Sequence, residues 1–168
     1  MRTTILTTDT LGHMIAVNGF PYLLWPQTLD VLRQYQRIVT LGIPIIKPYL
    51  LTSGPEWINL HGGNPEYYRG LDCHLWAIYH NDWNNVVTTL HYIDEGIDTG
   101  DIIFQSRVPI SEDLYNENMK ICHHLIELCL SSYWLPRRKQ VKLGRYYGTM
   151  PDSMKETVGA KIHRFIGR

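Results

Sequence analysis

The sequence predicts an α/β fold in which a mostly parallel sheet is flanked by helices. Two observations carry it. Short continuous apolar runs suit strands buried on both faces, and they are interleaved with segments of helical spacing, the last of them long and amphipathic. The 168 residues have room for one core, and 44% hydrophobic against 19% charged residues excludes disorder over most of the length.

The elements follow in chain order. Residues 4–8 read as a buried strand, with a polar stretch after it at 9–12. Residues 20–25, bounded by Asn18-Gly19 and Pro26, form a second strand. Pro26 then starts a helix over 27–36, where Leu29, Leu32 and Tyr35 share a face. Residues 37–41 are a strand stopped by Gly42, and 57–61 another, running into the loop 62–65. A helix over 72–80, a strand over 86–93, the glycine-bearing turn 94–100 and a strand over 102–108 come next. The clearest helix spans 112–134, with Cys122, Leu125, Ile126 and Cys129 on its inner stripe and Pro136 beyond its end. A last helix covers 153–165.

Sixteen basic residues balance sixteen acidic ones, which argues against a chain devoted to nucleic acid. The balance is uneven: from Arg137 onward nine basic residues meet only Asp152 and Glu156. The organisation expected is a domain over 1–136 and a basic extension over 137–168 that packs on it. That basic tail suits either a phosphate-bearing substrate or a solvated helix face. Three cysteines, with no C-x-x-C pair, indicate a reducing compartment, and no signal peptide or membrane-length apolar run is present, so the expected location is the cytoplasm.

Polar residues concentrate between residues 58 and 100. Asn59 and His61, two apart on a strand, project from one face and can converge on one bound oxygen. An amide donor and an imidazole suit an oxyanion and a proton, and Asp98, in a turn with two glycines, is placed to orient the imidazole. The plainer alternative is a hydrogen-bonded strand-end histidine. No H-x-x-x-H, Walker A, G-x-G-x-x-G or G-x-S-x-G occurs, and no metal is expected. Cys73 beside His74 reads as structural, because neighbours on a helix diverge.

Ile58-Asn59-Leu60-His61, Tyr68-Arg69-Gly70, Trp76-Ala77-Ile78, Thr89-Leu90-His91 and the run Asp94-Glu95-Gly96-Ile97-Asp98-Thr99-Gly100-Asp101-Ile102-Ile103 resemble, in order and spacing, the folate-dependent formyltransferase family. The resemblance implies a Rossmann-like sheet and transfer of a formyl group from N10-formyltetrahydrofolate to a primary amine. Asn59, His61 and Asp98 take the catalytic positions. Asn64, Tyr68, Arg69 and Gly70 take substrate-binding positions, and Asp94, Gly96 and Ile97 cofactor-binding ones.

Gly63-Asn64-Pro65-Glu66 stands where much of the family has Ser-Leu-Leu-Pro. Together with Gly144-Arg145-Tyr146-Tyr147 it is most similar to the sugar-modifying branch, which implies a nucleotide-linked amino sugar as substrate and a homodimer. Methionyl-tRNA and glycinamide ribonucleotide formylation are the alternatives, as is a non-catalytic binding or scaffold homologue. The family's first strand-helix unit, about thirty residues, is missing from the pattern, so the chain reads as truncated at its N-terminus with an exposed sheet edge.

Overall fold

A computed structural model describes residues 2–8, 22–52 and 54–167. Eight strands and five α-helices are described: β1 (Thr3–Thr7), β2 (Tyr22–Leu24), α1 (Leu29–Leu32), β3 (Arg37–Leu41), α2 (Pro48–Leu51), β4 (Glu56–His61), β5 (Tyr68–Gly70), α3 (Cys73–Tyr79), β6 (Val87–Tyr92), β7 (Ile102–Arg107), α4 (Leu114–Ser131), β8 (Arg145–Tyr147) and α5 (Asp152–Ile166).

Six strands form one sheet in the order β2-β1-β3-β4-β6-β7. The pairs β1–β2, β1–β3 and β3–β4 are parallel, whereas β6 runs antiparallel to both β4 and β7. Side-chain alternation builds a core on each face. Ile5, Val39 and Ile58 join Cys122, Leu125, Ile126 and Cys129 of α4 on one side. Their neighbours Leu6, Ile38 and Trp57 pack with Leu32 of α1 and Leu50 of α2 on the other. The buried Arg37 ties sheet to helix, its Nη1 donating to the carbonyls of Cys129 and Ser132, each at 3.0 Å. Those carbonyls belong to the helix end, where intrahelical donors run out.

The C-terminal segment is woven into the rest. Arg138 bridges to Ile102, β8 pairs parallel with β5 in a second, two-stranded sheet, and α5 packs on α3 through a core containing Ala77, Ile78, Val158 and Ile162.

Several elements differ from expectation. The helix after Pro26 is one turn, beginning at Leu29 after Thr28, because the chain must turn at Arg33 and Gln34 to enter β3. The helix α4 is shorter than 112–134: the Asp113 side chain caps its start by accepting from Asn116 N, and Ser132 is already extended. The exposed central edge does not arise among the described residues, since β1 is paired on both sides and the sheet ends at β2 and β7. The polar stretch 9–12 and the start of the strand at 20–25 lie outside the described residues. No helix among the described residues is long and apolar enough to cross a membrane.

Candidate active site

Where β3 and β4 end, the sheet opens into a cavity of about 720 Å³, within the range of small-molecule sites. One wall comes from residues 40–46, 93, 94, 96 and 97, the other from 70–75 with Leu114, Tyr115, Asn118 and Tyr146. Asn59, His61, His91 and Asp98 line the cavity with both walls.

The sheet sets this cluster. Asn59 and His61 share a face of β4, and the antiparallel register places His91 of β6 opposite Asn59. Thr40 of β3 donates its hydroxyl to Asn59 Oδ1 at 2.9 Å. The amide nitrogen is thereby turned inward, 3.4 Å from Asp98 Oδ1 and 3.3 Å from His91 Nε2.

Asp98 comes from the turn after β6 and has a left-handed φ of 54°, a conformation Asp tolerates better than most residues. The turn is fixed locally by Asp94, whose Oδ1 accepts from Gly96 N and from the Thr99 hydroxyl. Gln140 clamps it from the tail, its Nε2 donating to the Asp98 and Gly100 carbonyls. The carboxylate of Asp98 lies 3.4 Å from His61 Nδ1 and 3.3 Å from His91 Nε2, and accepts from Gly70 N at 2.8 Å.

The other nitrogen of each imidazole is committed to a backbone carbonyl. His61 Nε2 donates to Tyr68 at 2.9 Å, and His91 Nδ1 donates to Tyr92 at 2.7 Å. Burial lowers the pKa of His61, with the Asp98 charge pulling the other way and His91 adding to the fall. Burial pushes Asp98 up, but the His91 hydrogen bond, the two imidazoles and Gly70 N outweigh it and bring the carboxyl down to about 2.

Two glycines make the close packing workable. A Cβ on Gly63 would lie 2.6 Å from Cys73 Cβ and 2.9 Å from His61 Nε2. Gly70 has a φ of 95°, and a Cβ there would meet the Tyr147 carbonyl at 2.2 Å.

The structure thus brings together Asn59, His61 and Asp98, and Gly70, Asp94, Gly96 and Ile97 also line the cavity. It does not bring Asn64, Tyr68 or Arg69 there. Arg69 donates to the Gly144 and Ile97 carbonyls, bracing the tail against the Asp98 turn. The Tyr68 hydroxyl donates to Asp82, and its ring stacks on Tyr147. Asn64 bonds Asn85 and Gln105. Trp83 stacks on Phe165 at 4.4 Å. His91, which the sequence reading includes in the motif Thr89-Leu90-His91 without giving it a role, is brought into this cluster. The signal was its place two residues after Thr89 on a strand, but its position opposite Asn59 needs the antiparallel pairing. Among the described residues no group of three or more ligating side chains is arranged for a metal.

A second buried histidine, His74, has its pKa lowered to about 4, chiefly by burial. Its Nε2 donates to the Val87 carbonyl at 2.7 Å. With the folded value below the ordinary 6.5, the stabilisation is complete above pH 6.5 and drains away as pH falls toward 4. The expected loss between pH 7 and 4 is about 3 kcal/mol from this residue, and His61 adds in the same direction. Urea unfolding of wild type and His74→Gln at both pH values checks this: the variant should lose about 3 kcal/mol less, and equal losses would contradict the assignment.

A sequence model described as Formyl transferase matches residues 29–127, more than half of the chain. The methionyl-tRNA formyltransferase of Syntrophus aciditrophicus (strain SB) is 39% identical over 116 residues, covering 67% of this chain and 36% of that protein. The chain therefore spans about a third of that relative's length. Among solved structures, Mycobacterium tuberculosis Rv3404c superposes with a TM-score of 0.73 at 21% identity, covering 89% of this chain and 76% of that one. The formyltransferase PseJ of Anoxybacillus kamchatkensis, solved with UDP-4,6-dideoxy-4-formamido-L-AltNAc and tetrahydrofolate, gives 0.64 at 23%, covering 92% of this chain and 89% of that one. At these identities the structural likeness is one of fold.

Proposed function

The chain belongs to the formyl transferase family, and from that membership we propose that it transfers a formyl group from N10-formyltetrahydrofolate to the primary amine of a nucleotide-linked amino sugar. The observation that carries the chemistry is the convergence of Asn59, His61 and Asp98 on one cavity with a wall on either side. The sugar rests on the fold likeness to PseJ and on the Gly63-Asn64-Pro65-Glu66 loop.

The wall at 40–46, 93, 94, 96 and 97 fits the folate: Leu41, Ile43, Ile46, Ile93 and Ile97 offer apolar surface for a flat ring, with Asp94 at its margin for polar contact. Bound there, the folate would supply an activated formyl carbon: the amine nitrogen bonds to it, the bond from that carbon to N10 breaks, and N10 leaves with a proton as tetrahydrofolate. The amine approaches from the opposite wall. Asn59, half-buried and fixed by Thr40, directs its Nδ2 at the charge that develops on the formyl oxygen. His61, locked by Tyr68 and Asp98, keeps positive potential beside that charge when protonated, and Asp98 receives the amine's proton directly or through water. Tight packing around Gly63 holds His61 within the tolerance such positioning needs.

The kinship to methionyl-tRNA formyltransferase supports a second acceptor, methionyl-tRNA. Tetrahydrofolate release by the 168-residue chain, given N10-formyltetrahydrofolate with a panel of nucleotide-linked amino sugars or with methionyl-tRNA, separates the two. Amine-dependent release that an Asn59→Ala/His61→Ala variant lacks is expected with a sugar. Release with methionyl-tRNA alone, falling steeply as salt rises, would replace the sugar reading.

A further inference from the structure

The cavity contains a polar pair that the proposed chemistry leaves unused. His74 of α3 and Asn118 of α4 both line it, and both are anchored to consecutive residues of β6. His74 Nε2 donates to the Val87 carbonyl, so its Nδ1 is an acceptor, and among the described residues it meets no donor. The Thr88 hydroxyl and the Cys122 thiol both donate to Asn118 Oδ1, which fixes the amide and leaves its Nδ2 hydrogens without a protein acceptor among the described residues. A buried acceptor and a half-buried donor thus both line the cavity, anchored one residue apart on β6 and open to a ligand.

The surroundings define what they take. Leu71, Leu75 and Leu114 line the same wall, and no Lys or Arg is among the described residues lining the cavity, which carries Asp72, Asp94 and Asp98 instead. A carboxylate or phosphate entering here would be desolvated without a cation. A hydroxyl satisfies both groups at once, giving its proton to the imidazole and taking one from the amide.

We propose that His74 Nδ1 and Asn118 Nδ2 together recognise one ring hydroxyl of the acceptor sugar, which makes them the specificity-determining pair of the amine side, with the nucleotide phosphates outside the cavity. This rests on the amino-sugar reading above. Burial keeps the imidazole uncharged at neutral pH, as an acceptor must be.

The test uses UDP- and dTDP-linked 3-amino-3,6-dideoxy and 4-amino-4,6-dideoxy hexoses, each with analogues lacking one ring hydroxyl, and follows both binding by calorimetry and formyl transfer. Asn118→Asp keeps shape while turning the donor into an acceptor, and His74→Gln is the partner variant. In support, either variant raises the acceptor KM at least tenfold with the folate KM within twofold, and removing the recognised hydroxyl costs wild type tenfold but the variants nothing further. Unchanged acceptor KM in active variants overturns the pair and leaves the amino-sugar reading standing. Sugar binding that the variants weaken, with no formyl transfer by wild type, supports the pair and overturns the transfer reading. No binding of any of these sugars to wild type overturns the pair.

Discussion

His61→Ala is expected to lower kcat for formyl transfer by about 10³-fold, within the range that proton-handling groups and oxyanion donors supply. The expected KM for N10-formyltetrahydrofolate stays within a few-fold, because the wall proposed for the folate is residues 40–46, 93, 94, 96 and 97. Two losses combine. Asp98 keeps its bonds from Gly70 and Asn59 but loses one of its two imidazoles, and the Tyr68 carbonyl loses its donor. The ring is 5% exposed, so its removal also leaves a void beside Gly63. His61→Asn separates packing from chemistry, since it fills part of the volume without an ionisable group. Circular dichroism and urea unfolding close to wild type, with the 10³-fold deficit kept, is the expected pattern. Activity within threefold of wild type in either variant would remove His61 from the reaction.

How much of this was legible in the sequence depends on the range of the interaction. The trio was readable because Asn59 and His61 are two apart on a strand, and period two alone puts them on one face. The inner stripe of α4 was readable for the same local reason. Arg69, which the resemblance puts at a substrate-binding position, has its donors on Gly144 and Ile97, and one of these arrives only because three-residue strands far apart in sequence pair as β5 and β8. Such short strands have little periodicity to detect. The basic tail behaves in a similar way. Arg138 grips Glu66 through two bonds, Lys161 donates to the Tyr79 carbonyl, and Arg137 lies over the Tyr92 ring, so part of the apparent excess is spent inside the fold. The missing unit suggested an open edge because the family's first strand helps form the sheet centre, whereas here β1 pairs directly with both β2 and β3.

Asp98→Asn is expected to lower kcat by 10²- to 10⁴-fold and to cost the fold stability at pH 7, where the ionised carboxylate contributes, and proton counting gives the reason for the first. Each imidazole has given one N–H to a backbone carbonyl, so its neutral form presents a bare nitrogen to Asp98. Two bare nitrogens facing an ionised carboxylate at 3.3 and 3.4 Å repel it, and only Asn59 and Gly70 then bond it. The arrangement is favourable when the three groups carry at least one proton beyond those of the neutral imidazoles. A carboxyl pKa brought down to about 2 means that Asp98 is ionised at rest and faces the imidazoles as a carboxylate. An asparagine in its place donates an N–H to one bare nitrogen and stabilises the neutral imidazoles, so the cluster loses the carboxylate that would receive the amine's proton. The sign for stability follows. With its folded value depressed from 3.8, Asp98 stabilises the fold above that pH and loses the contribution as pH falls toward 2, so the variant should unfold less steeply over that acid window. The kcat profile should change as well, since the limb belonging to the charged cluster depends on the carboxylate. Activity within threefold of wild type, with an unaltered pH profile, would show that the amine's proton is received elsewhere.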